Sequence, residues 1–184
     1  MDDPKFIDDS AKGRMAVNFV KHLLEKSGYD VYDFGIETHN ANIKKQLKNT
    51  YYTHASRILH LLPDLVVINP ETSRAYLIEV KFRRTLEFFD LKERIVSESI
   101  KYWPEMFFVV VSNQDPYCQW FKCSDMESFQ HGIEALPINV EKETRENKSI
   151  MKISKFNFYQ DIKILFNKVT DENLQACLKA NKLF

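Results

Sequence analysis

Three charged residues of one short segment have the types and the spacing of a site for a hard divalent cation. Asp64 follows Pro63, and Glu79 and Lys81 stand two residues apart later in the stretch PDLVVINPETSRAYLIEVKFRR, residues 63–84. Two carboxylates surrounded by oxygen donors suit Mg²⁺ or Mn²⁺ better than Zn²⁺. We therefore expect Asp64 and Glu79 to bind a divalent metal ion, the backbone carbonyl of Val80 to complete its ligand shell, and Lys81 to lie beside it.

The sequence around these residues predicts a β-hairpin. Residues 65–68 form a short β-branched run, residues 69–72 have turn chemistry, and residues 74–82 alternate in the pattern of a strand. Side chains two apart on a strand share a face, so Glu79 and Lys81 should point together, away from the apolar side chains between and beside them. If Asp64 pairs across the hairpin, the three charged groups converge.

The remaining pattern predicts an α/β fold with a mixed central sheet flanked by helices. An apolar stripe of Met15, Phe19, Val20, Leu23 and Leu24 predicts a first helix over residues 10–27, and Gly28 supplies its left-handed stop. Strands are expected at 31–36, 106–112 and 117–123, helices at 90–103, 155–168 and 171–182, and an exposed loop at 141–148. We expect one domain over residues 1–184, with a core at about 10–125 and a helical extension at about 150–184.

The hairpin motif resembles that of the PD-(D/E)XK nuclease superfamily, whose restriction endonuclease-like core has the order αβββαβ. The predicted elements of residues 10–113 follow that order, and an extra strand and C-terminal helices come after it. The resemblance implies that Asp64 and Glu79 are the metal ligands. It also implies that Lys81 orients the attacking water or stabilises the developing phosphate charge. The implied products are a 5′-phosphate and a 3′-hydroxyl.

The first helix resembles that of archaeal Holliday-junction resolvases. Lys12 and Gly13 open it, and Leu24-Glu25-Lys26 precede its closing glycine. Those resolvases carry a catalytic glutamate at the position that Val17 occupies here. Glu37, at the end of the first predicted strand, is a candidate substitute as a third carboxylate, and the alternative is an ordinary solvent-exposed glutamate.

Basic residues surround the motif in the sequence. No acidic residue lies between Glu37 and Asp64, a segment that contains Lys44, Lys45, Lys48 and Arg57. This segment is either a nucleic-acid contact or a solvated helical insertion whose counter-charges lie elsewhere. Arg83 and Arg84 follow Lys81 and suit the phosphates that flank a scissile bond, although arginines at strand ends also serve solubility alone.

The composition excludes several other classes of protein. The four glycines are at least seven residues apart, which leaves no dinucleotide-binding or Walker loop, and the three cysteines include no Cys-x-x-Cys pair. The longest apolar run, residues 106–111, is too short to span a bilayer, and the N-terminal segment is acidic where a targeting peptide is basic. We expect a soluble, cytoplasmic protein.

The charged residues and the family resemblance together imply a magnesium-dependent deoxyribonuclease, an endonuclease with Mg²⁺ or Mn²⁺ as cofactor and DNA as partner; the choice of DNA over RNA comes from the resemblance alone. Glu37 is its auxiliary acid. The rival prediction is a noncatalytic module that binds nucleic acid or protein on the same scaffold. An accessory subunit of a restriction or repair assembly is compatible with either, and so is a homodimer.

Overall fold

The computed structural model contains two β-sheets, and it describes residues 4–36, 47, 53–84, 88–126, 140–145, 148–154 and 160–181. The strands in chain order are β1 (Asp30–Asp33), β2 (Leu65–Asn69), β3 (Arg74–Arg83), β4 (Phe88–Lys92), β5 (Phe107–Ser112), β6 (Cys118–Lys122), β7 (Val140–Arg145), β8 (Lys148–Ser154) and β9 (Gln160–Asp161). The larger sheet has the order β1-β2-β3-β5-β6-β9. Its strands β3 and β5 are parallel, and its other neighbouring pairs are antiparallel.

Helices flank this sheet, as the sequence predicts. In the described parts of the chain they are α1 (Pro4–Lys26), α2 (His54–His60), α3 (Glu93–Tyr102), α4 (Ile162–Leu165) and α5 (Asp171–Asn181), with a 3₁₀ turn at Cys123–Met126. Helix α1 packs on β3 and on α5. Among the described residues, no helix combines the length and the apolar character that crossing a bilayer requires.

The first helix buries the predicted stripe with one exception. Phe19, Val20, Leu23 and Leu24 are fully buried in the main core, whereas Met15 is exposed and the adjacent Ala16 is buried in its place. Gly28 has φ +83°, the left-handed conformation expected of a helix stop. The helix therefore covers one face of the sheet and leaves the other face to different elements.

The predicted hairpin and the crossover after it are confirmed. Strand β2 pairs antiparallel with β3, and the side chain of Asn69 accepts a hydrogen bond of 3.0 Å from the Glu71 N–H in the turn. The chain then passes through α3 into β5, which lies parallel to β3. A parallel pair needs such a crossover, because a tight turn joins only antiparallel strands.

Three predictions about the remaining segments are wrong. Residues 88–92, where the predicted helix was expected to start, form β4 instead. The segment expected to be a loop forms β7, and β8 lies between β7 and β4 and pairs with both. Residues 148–154, expected to begin the helical extension, form a strand. Of the helix predicted at 155–168, α4 forms only four residues within the described part, whereas the helix predicted at 171–182 is confirmed as α5. Backbone pairing orders the polar β7 segment without any hydrophobic period that a sequence pattern would reveal.

Candidate active site

Strand β3 places Glu79 and Lys81 on one face of the sheet and Ile78 and Val80 on the other. Ile78 is fully buried and Val80 is 6% exposed, and both belong to the core cluster beneath α1. The side chains of Glu79 and Lys81 are 18% and 29% exposed and form an ion pair with each other. The alternation of the strand thus produces a partly accessible charged pair from an otherwise apolar segment.

Asp64 joins this pair from the neighbouring strand. It immediately precedes β2, whose first residue, Leu65, is the partner of Ile78. Continuing that register by one residue places Asp64 opposite Glu79, and directly opposed residues of an antiparallel pair share a face. The sheet register therefore brings the two carboxylates to the same side.

Three hydrogen bonds help to fix the position of Asp64. Its Oδ2 accepts a hydrogen bond of 2.8 Å from the Val80 N–H. Its backbone carbonyl accepts bonds of 2.9 and 3.2 Å from the N–H groups of Phe34 and Gly35, which follow β1. Because the N–H and C=O of one strand residue point to the same side, the Val80 carbonyl also points toward Asp64.

The charges of the two acids control the protonation of Lys81. Burial alone would lower the pKa of its ammonium group, but the charges of Glu79 and Asp64 and the hydrogen bond to Glu79 outweigh burial and raise that pKa above its usual value. Lys81 is therefore a cation at neutral pH. Both carboxylates are therefore close enough to the Lys81 ammonium group for their charges to act on it.

The donor set at this site suits a hard cation and is small. Asp64, Glu79 and the Val80 carbonyl all offer oxygen, which Mg²⁺ and Mn²⁺ prefer. Within the described parts of the chain, no group of three or more histidine, cysteine, aspartate or glutamate side chains has the geometry of a metal site. Glu37, the expected third acid, lies outside the described residues. A metal held here would take protein ligands from two strands and the rest from water or substrate.

The predicted basic residues fall into two groups. Arg57 is exposed on α2, Arg83 shares the face of Lys81 and lowers the pKa of that lysine, and Arg84 is exposed at the end of the strand. The Nη1 of Arg83 donates a hydrogen bond of 2.7 Å to the Phe82 carbonyl. Lys44, Lys45 and Lys48 lie outside the described residues.

Aromatic residues from three parts of the chain form contacts that the sequence pattern did not predict. Phe34 contacts the ring of Trp103 edge to face, with ring centroids 6.4 Å apart. Tyr102 contacts His54 in the same manner at 5.3 Å. These residues come from the end of β1, the C-terminal end of α3 and the start of α2, so no local sequence pattern links them.

Comparison with known proteins shows the fold. No protein-family model matches the chain, and no curated protein matches it significantly. A solved structure of a nuclease from a fusselovirus is similar to it, with a TM-score of 0.52 and 11% sequence identity over 96% of this chain and 98% of that one. The mixed sheet flanked by helices is therefore a fold that a viral nuclease shares.

Proposed function

We propose that this protein is a metal-dependent nuclease of the PD-(D/E)XK type that hydrolyses phosphodiester bonds in DNA. The observation that carries the proposal is the convergence of Asp64, Glu79 and Lys81 on one partly accessible face of the sheet. The similarity in fold to a viral nuclease supports it independently of these residues. The preference for DNA over RNA rests on the family resemblance of the motif.

Each residue has a distinct role in this proposal. Asp64 and Glu79 hold Mg²⁺ or Mn²⁺ together with the Val80 carbonyl, and Glu37 is an auxiliary acid. When bound, such an ion neutralises charge on the phosphoryl oxygens and lowers the pKa of water. Lys81, held as a cation by the two acids, orients the attacking water or stabilises the charge that develops on the phosphate. Arg57, Arg83 and Arg84 bind the flanking phosphates.

A second candidate function is a noncatalytic binding module. The ion pair between Glu79 and Lys81 favours it, because this pair balances the charge of Glu79 without any metal ion. Such a module would keep the basic surface and bind nucleic acid in the presence of a chelator. The two candidates therefore differ in metal dependence and in turnover.

One assay separates the two. Purified protein is incubated with plasmid, single-stranded and branched DNA in Mg²⁺, in Mn²⁺ and in EDTA, alongside Asp64→Ala and Lys81→Met. Lys122→Met is a matched control, because Lys122 also lies on a strand of the sheet, is 29% exposed and pairs with a glutamate, Glu105. Its strand neighbour is Phe107, which packs on the opposite face from the proposed site.

The nuclease proposal predicts cleavage that requires a divalent ion, is lost in Asp64→Ala and Lys81→Met, and is retained in Lys122→Met. Cleavage that survives both site substitutions comes from a contaminant and contradicts the mechanism. Binding without cleavage, unchanged by EDTA, identifies the noncatalytic module instead.

A further inference from the structure

Four aromatic rings form two edge-to-face pairs, which are linked because Tyr102 and Trp103 are adjacent in the chain. Phe34 and Trp103 meet at an interplanar angle of 90°, and Tyr102, the next residue along the chain from Trp103, meets the His54 ring at 78°. The Tyr102 hydroxyl lies 3.3 Å from Nδ1 of His54, which ties α3 to α2. We call Phe34, His54, Tyr102 and Trp103 the aromatic shelf.

A backbone hydrogen bond joins Phe34, the first residue of the shelf, to the proposed metal ligand Asp64. The backbone N–H of Phe34 donates to the Asp64 carbonyl at 2.9 Å, and the adjacent Gly35 N–H donates to the same oxygen. Continuing the register of β1 and β2 by one residue places Phe34 opposite Asp64, so the Phe34 ring shares the sheet face of the proposed metal ligand. This continuity distinguishes the shelf from exposed apolar residues elsewhere, such as Ile164 on α4.

The shelf is partly accessible, and cations flank it. Phe34 is 36% exposed and His54 is exposed, whereas Tyr102 and Trp103 are half-buried and the indole nitrogen of Trp103 is buried. None of the four rings belongs to the buried core cluster. The exposed Lys101 places its Nζ 5.2 Å from the centroid of the Tyr102 ring, and Arg57 is exposed one helical turn after His54. Exposed rings interleaved with cations suit a polyanion that presents flat, apolar bases.

We propose that the aromatic shelf stacks an unpaired nucleobase adjacent to the cleaved bond, so that the substrate is single-stranded at or beside the cut. The inference rests on the proposed nuclease function and specifies its substrate class. Bases inside a duplex are stacked on one another and do not offer their faces, whereas the bases of ends, flaps, bulges and single strands do. Stacking on an aromatic side chain is largely independent of base identity, so the shelf selects strand structure over sequence.

The charges argue for a nucleic acid as the occupant in preference to an apolar peptide. Lys101 lies at the Tyr102 ring and Arg57 is exposed on the helix that begins with His54, while Lys81 and Arg83 share the strand face of the proposed site. Cations of this kind suit the phosphates that flank a stacked base. An apolar peptide would offer no negative charge to the exposed Lys101 and Arg57. The shelf and the cations thus fit one ligand, a polynucleotide with at least one unstacked base.

Binding without catalysis tests this inference directly. The chain has two tryptophans, Trp103 and Trp120, so a Trp120→Phe background leaves Trp103 as the sole fluorescent indole. In EDTA, oligothymidylate and a duplex of equal length are titrated separately into this protein. We expect the single strand to quench Trp103 fluorescence and to bind more tightly than the duplex, because a stacked base contacts the shelf.

Substitution of the shelf gives the second readout. Phe34→Leu and Tyr102→Leu keep apolar volume but remove the aromatic face, and each should weaken binding of the single strand by about 10-fold while leaving duplex binding unchanged. His54→Ala, at an exposed helix start, provides a variant with little effect on folding. Ile164→Ala is the control for loss of an exposed apolar side chain, and it should bind both probes as the parent does.

The outcomes separate this inference from the proposed function. Equal affinity of the parent and the shelf variants for the single strand, or equal quenching by the duplex, overturns the stacking role. Metal-dependent cleavage of duplex and single strand at equal rates by the parent and Phe34→Leu also overturns it, and leaves the nuclease function standing. Stacking of the single strand with no cleavage of any DNA overturns the nuclease function and supports the binding surface.

Discussion

The two faces of strand β3 carry opposite kinds of side chain. Ile78 and Val80 point into the core beneath α1, where they are nearly or fully buried. Glu79 and Lys81 point to the other face, where they pair with each other and meet Asp64. One ten-residue strand therefore both anchors the fold and presents the proposed chemistry. Substitutions on the two faces should consequently affect different properties, one stability and the other activity.

The largest expected effect comes from the charged face. Glu79→Gln should lower the rate of metal-dependent DNA cleavage at least about 100-fold, because it removes a charged ligand and the partner of Lys81. The free energy of unfolding should change by no more than about 1 kcal/mol, because the ion pair is partly exposed. Cleavage rates and urea unfolding curves measure the two quantities.

Glu71→Gln is the matched control for that substitution. Glu71 lies in the turn of the same hairpin and also pairs with a lysine, Lys168, at 2.9 Å. Glu71 is far from the register row that joins Asp64 to Glu79, so its neutral variant should cleave at the parent rate. Equal loss of activity in both variants would mean that the assay reports general damage to the hairpin.

The apolar face should show the converse effect. Ile78→Ala should lower the free energy of unfolding by about 2–5 kcal/mol, since it leaves a cavity beneath α1. The neighbouring Leu77→Ala should cost less, because Leu77 points to the other face and is only half-buried. Urea unfolding of the two variants measures the difference, and an equal loss in both would contradict the assignment of the faces.

Two buried cysteines, Cys118 and Cys123, extend the comparison between regions to the reactivity of single thiols. Cys118 belongs to the core cluster beneath α1, whereas the equally buried Cys123 lies outside that cluster and its N–H donates to the Met106 carbonyl. Burial, with a smaller effect of the Asp125 charge, raises the pKa of Cys123 to about 12. Burial also raises the pKa of Cys118, chiefly by desolvation of the thiolate.

Both thiols should therefore react slowly in the folded protein. At about pH 8.5, where an unfolded thiol is half ionised, labelling with a disulfide reagent should be at least about 100-fold slower in the native state than in urea. Since the folded pKa is the higher one, stability is unaffected by these thiols below about pH 8.5 and falls as the pH rises through the folded pKa. Rapid native labelling of Cys123 would show that its segment is open to solvent.

The smallest effect is expected at the protein surface. Lys163 pairs with Asp171 at 2.7 Å and with Asp161 at 3.4 Å; the Asp171 side chain is largely exposed and the Asp161 side chain is partly exposed. Lys163→Met should change the free energy of unfolding by less than about 1 kcal/mol, because solvent screens such pairs. A larger loss in urea unfolding would show that this ion-pair cluster holds α4 against α5 more firmly than exposed charges normally do.

The sequence predicts the placement of the charged trio because the information is local. The two-residue period of a strand sets the faces of Glu79 and Lys81, and a short turn sets the register that carries Asp64 across. The helix stop at Gly28 is likewise encoded within a few residues. These features depend on neighbours in the chain, so a pattern of residue types is enough to predict them.

Contacts between segments that are far apart in the sequence cannot be predicted from local residue patterns. The aromatic shelf combines residues from β1, α2 and α3, and nothing near Phe34 indicates that Trp103 will meet it. The β7 segment, rich in charge, owes its strand conformation to pairing with β8. The predicted first strand ends earlier than expected, at Asp33, because the following backbone N–H groups turn to the Asp64 carbonyl. Tertiary partners decide these outcomes.

Calorimetric titration of Mn²⁺ into the protein measures metal binding by Asp64 and Glu79 without substrate or turnover. We expect saturable uptake that Asp64→Ala and Glu79→Gln each abolish or weaken strongly, while Glu71→Gln binds as the parent does. No uptake by the parent protein, or equal uptake by all four proteins, would contradict a metal site formed by these two carboxylates.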